Sequence, residues 1–267
     1  SSLAARLNFR SIKVYLYGVR SLHVDLGYAD PMSECVRLER LYRGIKRDQG
    51  ERSVVKRRLP VTTSMLLACQ HLFDFHCHNH RMLFAAMCTA TGGLFRVGEI
   101  TVSSSRKPDP LRMLTLSSIR PVHRVSGSAP ALLEAYAIHL RVSKTDPFRR
   151  EVDVHVCWPP AVAAIASMLR QLPLSLRRSS TPLFAFENGL PLARSALLAV
   201  TEHVLRCTGV DSSQYSGVSF RRGGATSLSC AGVSDRVVQL MGRWISSTYT
   251  RYIETQLSEF VAAGRRM

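Results

Sequence analysis

Between Ser11 and Leu26 the apolar residues Ile12, Tyr15, Leu16, Val19, Leu22 and Leu26 recur at three- and four-residue intervals, the period of one helical face. Ser11 is suited to cap that helix and Gly27 to end it. After a turn at Asp30-Pro31, a second amphipathic helix is predicted over residues 33–47, with Cys35, Leu38, Leu41, Tyr42 and Ile45 on its apolar side. Its other side carries Arg40, Arg43 and Arg47, which with Lys46 are candidate phosphate contacts. The stretch GERSVVKRRLPVT is polar, strongly basic and stopped by Pro60, the composition of a linker. The pattern therefore divides the chain into a helical module at 1–55, a basic linker at 56–62 with Lys56, Arg57 and Arg58, and a larger domain at 63–267.

The larger domain opens with helical patterns around 64–75 and 80–91. Three short strands are expected at 113–117, 135–142 and 151–158. Alternation in YAIHLRV and EVDVHV supports the second and third. The turn between these two is SKTDPFRR. Helical patterns return at 160–171, 193–207, 219–231, 234–241 and 247–263. The fold class this implies is α+β, mostly helical, with a small antiparallel sheet.

Charge narrows the partner. Formal net charge is +17 over 267 residues. Lysines and arginines in such excess displace counterions from phosphates, so a nucleic acid is the expected partner, bound in a salt-sensitive way. The basic residues are dispersed rather than set beside an apolar anchor, which disfavours a membrane surface. No apolar run approaches the roughly 18 residues of a membrane span, and the first residues lack the pattern of a signal peptide. A soluble, intracellular protein is expected. The seven cysteines form no CxxC pair, and reduced thiols fit better than a disulfide framework.

Four islands carry candidate chemistry: ATGGLFRVGEI with Arg96 and Glu99, RVSKTDPF with Lys144, VSFRRGGAT with Arg221, and MGRWISSTYTRYI with Arg243, Trp244 and Tyr252. Cleaving a phosphodiester without metal needs guanidinium forks on the non-bridging oxygens. It also needs a positioned phenol as nucleophile and a general acid for the leaving oxygen. Arg96 and Arg221, Tyr252, and Lys144 supply those three needs in turn. No metal, nucleotide or other cofactor is implied, and no small-molecule substrate. His76 and His80 would share a helical face, but no further ligands stand at a recognised zinc spacing. TGG-x-x-RVG lacks the GK[ST] of a phosphate-binding loop.

As a set these islands resemble the tyrosine recombinase (phage integrase) family, whose order is Arg, Lys, His-x-x-Arg, His or Trp, then Tyr. Arg96 matches its first arginine, Glu99 a common supporting acid, Lys144 the hairpin lysine, Arg221 the second arginine and Tyr252 the nucleophile. SKTDPFRR, SFRRGGAT and GRW-x-S-x-x-Y-x-x-YI are closer still to the recombinases of DIRS-like retrotransposons and Crypton-type elements. The phrases IKVYL, LGYADP and LYRGIKR resemble their helical core-binding domain. The resemblance implies double-stranded DNA as partner, a 3′-phosphotyrosine intermediate, assembly as dimer to tetramer on DNA, and a nuclear location in a eukaryotic host. It also implies that the segment 257–263 docks on a neighbouring protomer or packs on its own domain.

Two positions depart from that pattern. Val218 stands where the histidine of His-x-x-Arg is expected, and valine transfers no proton. Arg243 stands nine residues before Tyr252, where the family has His or Trp, with Trp244 one place later. Arg243 is a candidate third cation for the phosphate, and Trp244 a buttress for the nucleophile or a plain core residue. Tyr249 competes as nucleophile, being nearly one helical turn from Tyr252. Two other functions remain open at this point: a DNA-binding protein descended from a recombinase that no longer cuts, and a type IB topoisomerase.

Overall fold

The structure, a computed structural model, describes residues 2–52, 57–103, 108–124, 132–142 and 151–253. It forms two compact units, Ser1–Arg57 and Arg58–Met267. No helix among the described residues is long and apolar enough to cross a membrane.

The first unit holds α1 (Ser2–Arg6), α2 (Phe9–Asp25) and α3 (Val36–Arg52). Asn8, not Ser11, caps α2: its side chain accepts from the Ser11 N–H at 2.9 Å, so the helix starts earlier than its apolar stripe. Gly27 ends it at φ +79°, a conformation that glycine adopts without steric cost. α3 runs beyond residue 47 to Arg52, because Gly50 only weakens a helix and the first proline lies further on. The Gln49 amide donates to the carbonyls of Ala4 and Leu7 and accepts from the Phe9 N–H, joining α3 to the start of the chain. Phe9 meets Tyr42 edge-on at 5.7 Å, and Ile12 is buried. Tyr15, Val19, Leu22 and Leu26, of the apolar stripe, are exposed.

The second unit is built around α5 (His78–Gly92), buried along nearly its whole length. A helix apolar on all sides belongs in a core. Before it comes α4 (Thr63–Ala68), capped by Thr62, and after it the single turn α6 (Val97–Ile100). A three-stranded antiparallel sheet follows, in the order β1 (Ile119–Arg124), β2 (Leu132–Leu140), β3 (Val152–Val156). Then come α7 (Pro159–Arg170), α8 (Arg194–Cys207), α9 (Gly217–Cys230) and α10 (Asp235–Met241). α7 and α9 pack on α5, and α7 also packs on β2.

Two expectations fail for local reasons. Residues 113–117 form no strand. Thr115 makes an isolated bridge to Pro182, which has no N–H to extend a ladder, and 116–118 turn as a 3-10 helix closed by Ser118. The strand is instead Ile119–Arg124, whose Pro121 argues against a strand by sequence; it is tolerated because β1 is an edge strand. Likewise the C-terminal helix expected from 247 begins as a 3-10 turn, Ser247–Arg251, and the segment 257–263 lies outside the described residues.

α9 reaches the core through two adjacent glycines. A Cβ at Gly223 would stand 1.7 Å from the Val61 carbonyl oxygen, and one at Gly224 would stand 2.2 Å from that of Thr91. Both neighbours are backbone and cannot swing away. Gly223→Ala and Gly224→Ala should each destabilise the protein by about 1–3 kcal/mol or more. Gly44→Ala, with nothing within 4 Å of its Cβ, should be neutral or stabilising by up to about 1 kcal/mol. Urea melts of the three variants check this ordering.

Candidate active site

Two of the islands turn at helix ends of the same design. α5 stops at Gly92, and the chain turns through Gly93 and through Leu94 at φ +48°. The Phe95 N–H returns to the Ala90 carbonyl and the Leu94 N–H to that of Thr91. α10 stops at Met241 and turns through Gly242 and through Arg243 at φ +56°. There the Trp244 N–H returns to Gln239 and the Arg243 N–H to Leu240. In each corner the glycine clears a ring two residues on. A Cβ at Gly93 would lie 2.2 Å from the Phe95 ring, and one at Gly242 would lie 1.7 Å from that of Trp244. GGLFR and GRW are therefore steric requirements of these corners.

Glu99 joins the corners. Its Oε1 accepts from Arg96 Nη1 at 2.8 Å, while its Oε2 accepts from the Arg96 N–H at 2.9 Å and from Arg243 Nη2 at 2.8 Å. Arg243 Nη1 and Nη2 also reach the carbonyls of Gly93 and Leu94, at 3.3 and 3.4 Å, and its guanidinium stacks 5.2 Å from the Phe95 ring. Burial lowers its pKa and Glu99 opposes that. In the free protein the Arg243 guanidinium is held by Glu99 and the α5 corner, and it is not among the residues lining the cleft described next.

That cleft, of about 470 Å³, is lined by Arg96, Glu99, Val218, Arg221 and Tyr252, together with Val97, Gly98, Arg112, Val142, Arg194 and Gly217. Arg221 is 1% exposed. It donates from Nη2 to the Gly242 carbonyl, while Nε and Nη1 have no hydrogen-bond partner among the described residues. Burial pulls its pKa down to about 10, Arg96 and Arg243 push the same way, and Glu99 and Tyr252 oppose them. It remains a cation at neutral pH. Two buried guanidinium nitrogens without a partner carry a substantial desolvation cost.

Tyr252 ends the 3-10 turn after α10. Its ring lies 5.0 Å from that of Trp244, and the Arg221 guanidinium carbon stands 4.4 Å from the Trp244 ring and 5.7 Å from the Tyr252 ring. Trp244 is thus both a core residue and the support between arginine and phenol. Two side chains of α9 hold the backbone beside the phenol: Arg222 Nη1 donates to the Arg251 carbonyl at 2.6 Å and Thr226 Oγ1 to that of Tyr252 at 3.3 Å. Tyr249 does not line the cleft, and a hydrogen bond to Asp235 raises its pKa and keeps its proton.

Lys144 and Lys56 lie outside the described residues; Val142, two residues before Lys144, lines the cleft. Arg40, Arg43, Lys46 and Arg47 are exposed on α3, with Arg43 beside Glu39 at 3.8 Å. Arg57 closes the first unit, and Arg58 in the second donates to the Ser213 carbonyl. Sequence reading missed Arg112, Arg194, Arg222 and Thr226. Arg194 and Arg112 stand far from every motif, and Arg222 and Thr226 sit inside one whose spacing draws attention only to Arg221. Among the described residues no group of three or more His, Cys, Asp or Glu is placed to hold a metal ion.

No protein-family model and no curated protein matches this sequence. Solved structures do resemble it in fold. XerH site-specific recombinase, bound to palindromic difH substrate in a post-cleavage complex, superposes with TM-score 0.55 at 15% identity, over 78% of this chain and 52% of that one. The chain thus spans about half the length of XerH. The Tn1549 transposon integrase in complex with circular intermediate DNA gives TM-score 0.54 at 12% identity over 97% and 80% of the two chains. XerA recombinase gives 0.52 at 14% over 98% and 83%.

Removing Glu99 would leave Arg243 a buried cation without its anion. Glu99→Ala should cost about 3–5 kcal/mol, and Glu99→Gln, which keeps one acceptor, should cost less. Denaturant unfolding of both variants measures the difference. The α+β core, with its small antiparallel sheet and mostly helical surround, has the fold of the tyrosine recombinase catalytic domain.

Proposed function

We propose that this chain is a site-specific DNA recombinase or integrase that cuts and rejoins strands through a phosphotyrosine. The observation that carries the reading is the meeting of Arg96, Arg221 and Tyr252 on one cationic cleft. The two unpartnered N–H groups of Arg221 face the need that a phosphate would fill. The fold likeness to XerH and to the Tn1549 integrase supports it, and so do the DIRS-like phrases around the same residues.

In this reading Arg96 and Arg221 hold the non-bridging oxygens of the scissile phosphate and stabilise the charge that builds on them. The Tyr252 oxygen attacks phosphorus, and its proton passes to solvent water, Val218 offering no acceptor. The bond to the 5′ oxygen breaks, and that oxygen leaves protonated by Lys144. One phosphoester replaces another, so attack by a 5′ hydroxyl reverses the step without metal or nucleotide. The helical unit contributes phosphate contacts through Arg40, Arg43, Lys46 and Arg47, and the linker through Lys56, Arg57 and Arg58. Four copies on two duplexes would complete an exchange.

Val218 favours a second reading, in which the protein holds DNA but no longer cuts it. It lines the cleft, is 37% exposed, and has no proton to give. A duplex nicked close to the cut site, drawn from a library selected for binding, separates the two. Loss of the short fragment traps a covalent protein–DNA adduct if cleavage occurs. The adduct is expected with the unaltered protein, absent with Tyr252→Phe and retained with Tyr249→Phe. Tight binding with no adduct would leave the second reading standing. Binding itself should weaken steeply with salt, by about one power of salt concentration for each phosphate that the protein neutralises, as a titration series will show.

A further inference from the structure

We propose that Arg194 is a third cationic ligand of the scissile phosphate, a role that rests on reading the cleft as a strand-transfer site. Its place is set by the backbone: its N–H donates to the Val102 carbonyl at 2.9 Å, which fixes the first residue of α8 against the domain. From there the side chain is exposed and lines the cleft. Its Nη2 stands 3.6 Å from where a Cβ on Gly217 would be, so the guanidinium lies against the first residue of α9.

Two other arginines of the lining already have an anionic partner. Arg96 is paired with Glu99 at 2.8 Å and Arg112 with Asp109 at 3.3 Å. Glu99, the acid of the cleft, is also taken by Arg243. Arg194 meets no such anion among the described residues. Beside it the N-terminal end of α9 carries the positive end of the helix dipole, and Val218 on the same wall has no polar atom. Arg221, whose buried Nε and Nη1 have no partner among the described residues, lines the same cleft. A phosphate in the cleft would meet a lining that carries Arg221, Arg96 and, beside the start of α9, Arg194. The attacked phosphate gains negative charge in the transition state, so this third guanidinium contributes most at that point.

Two measurements test the role. In single-turnover trapping on the nicked duplex, Arg194→Ala should slow adduct formation by about 100-fold while binding of intact duplex changes by less than about tenfold. Arg194→Lys should recover part of the rate. In a Tyr252→Phe background, where no chemistry occurs, a nicked duplex ending in a 3′-phosphate should bind more tightly than the same duplex ending in a 3′-hydroxyl. Arg194→Ala should abolish that gain. Should the rate fall only as far as duplex binding does, and the 3′-phosphate gain persist, the proposal is overturned and Arg194 is an ordinary backbone contact. If the unaltered protein forms no adduct, the strand-transfer reading fails, and the 3′-phosphate comparison decides Arg194 by itself.

Discussion

The carboxylate of Glu99 accepts from donors that come from two distant parts of the chain, and the geometry of the cleft follows from that. One oxygen takes the Arg96 guanidinium, and the other takes the Arg96 backbone N–H and the guanidinium of Arg243. The first contacts start α6 and aim Arg96. The last one fastens the corner after α10 to the corner after α5. Arg243 holds a left-handed backbone conformation that costs a non-glycine residue on the order of 1 kcal/mol or more. The ion pair and the two carbonyl contacts offset that cost. With the corner held, Trp244 is placed against Arg221 and Tyr252.

The electrostatics of the cleft are unbalanced in a consistent direction. Arg96, Arg112, Arg194 and Arg221 face it with Glu99 as the acid, and Glu99 is already paired. Arg221 sits in the core with two of its N–H groups unmatched, an arrangement that costs stability in the free protein and suits an anion. The core around it is built for rigidity: two glycines let α9 touch the backbone of α5 and of Val61, so the guanidinium has little room to retreat.

Much of the architecture was legible from periodicity. α5, α7, α8, α9 and α10 lie close to where apolar spacing puts them, and β2 and β3 are found under the two stretches that alternate. Where periodicity misled, a local hydrogen-bond partner had won. Ser118 closes a turn within the expected first strand, Asn8 caps a helix earlier than its apolar face begins, and an edge position accepts Pro121. The exposed stripe of α2 shows that an amphipathic pattern names a face without naming what covers it.

The sequence by itself determined the types of the groups involved: two arginines and a tyrosine in separate short motifs, glycines ahead of aromatic residues, and a large positive charge. These are local or compositional properties, set by chemistry and by neighbours a few residues away. Only the tertiary structure decided which cations are free. The sequence singles out Arg243 and passes over Arg194, yet Arg243 is paired with Glu99, well over a hundred residues earlier, while Arg194 lines the cleft without such a partner among the described residues. Whether a charge is spent or available depends on partners brought together by long-range packing, and no spacing along the chain records that.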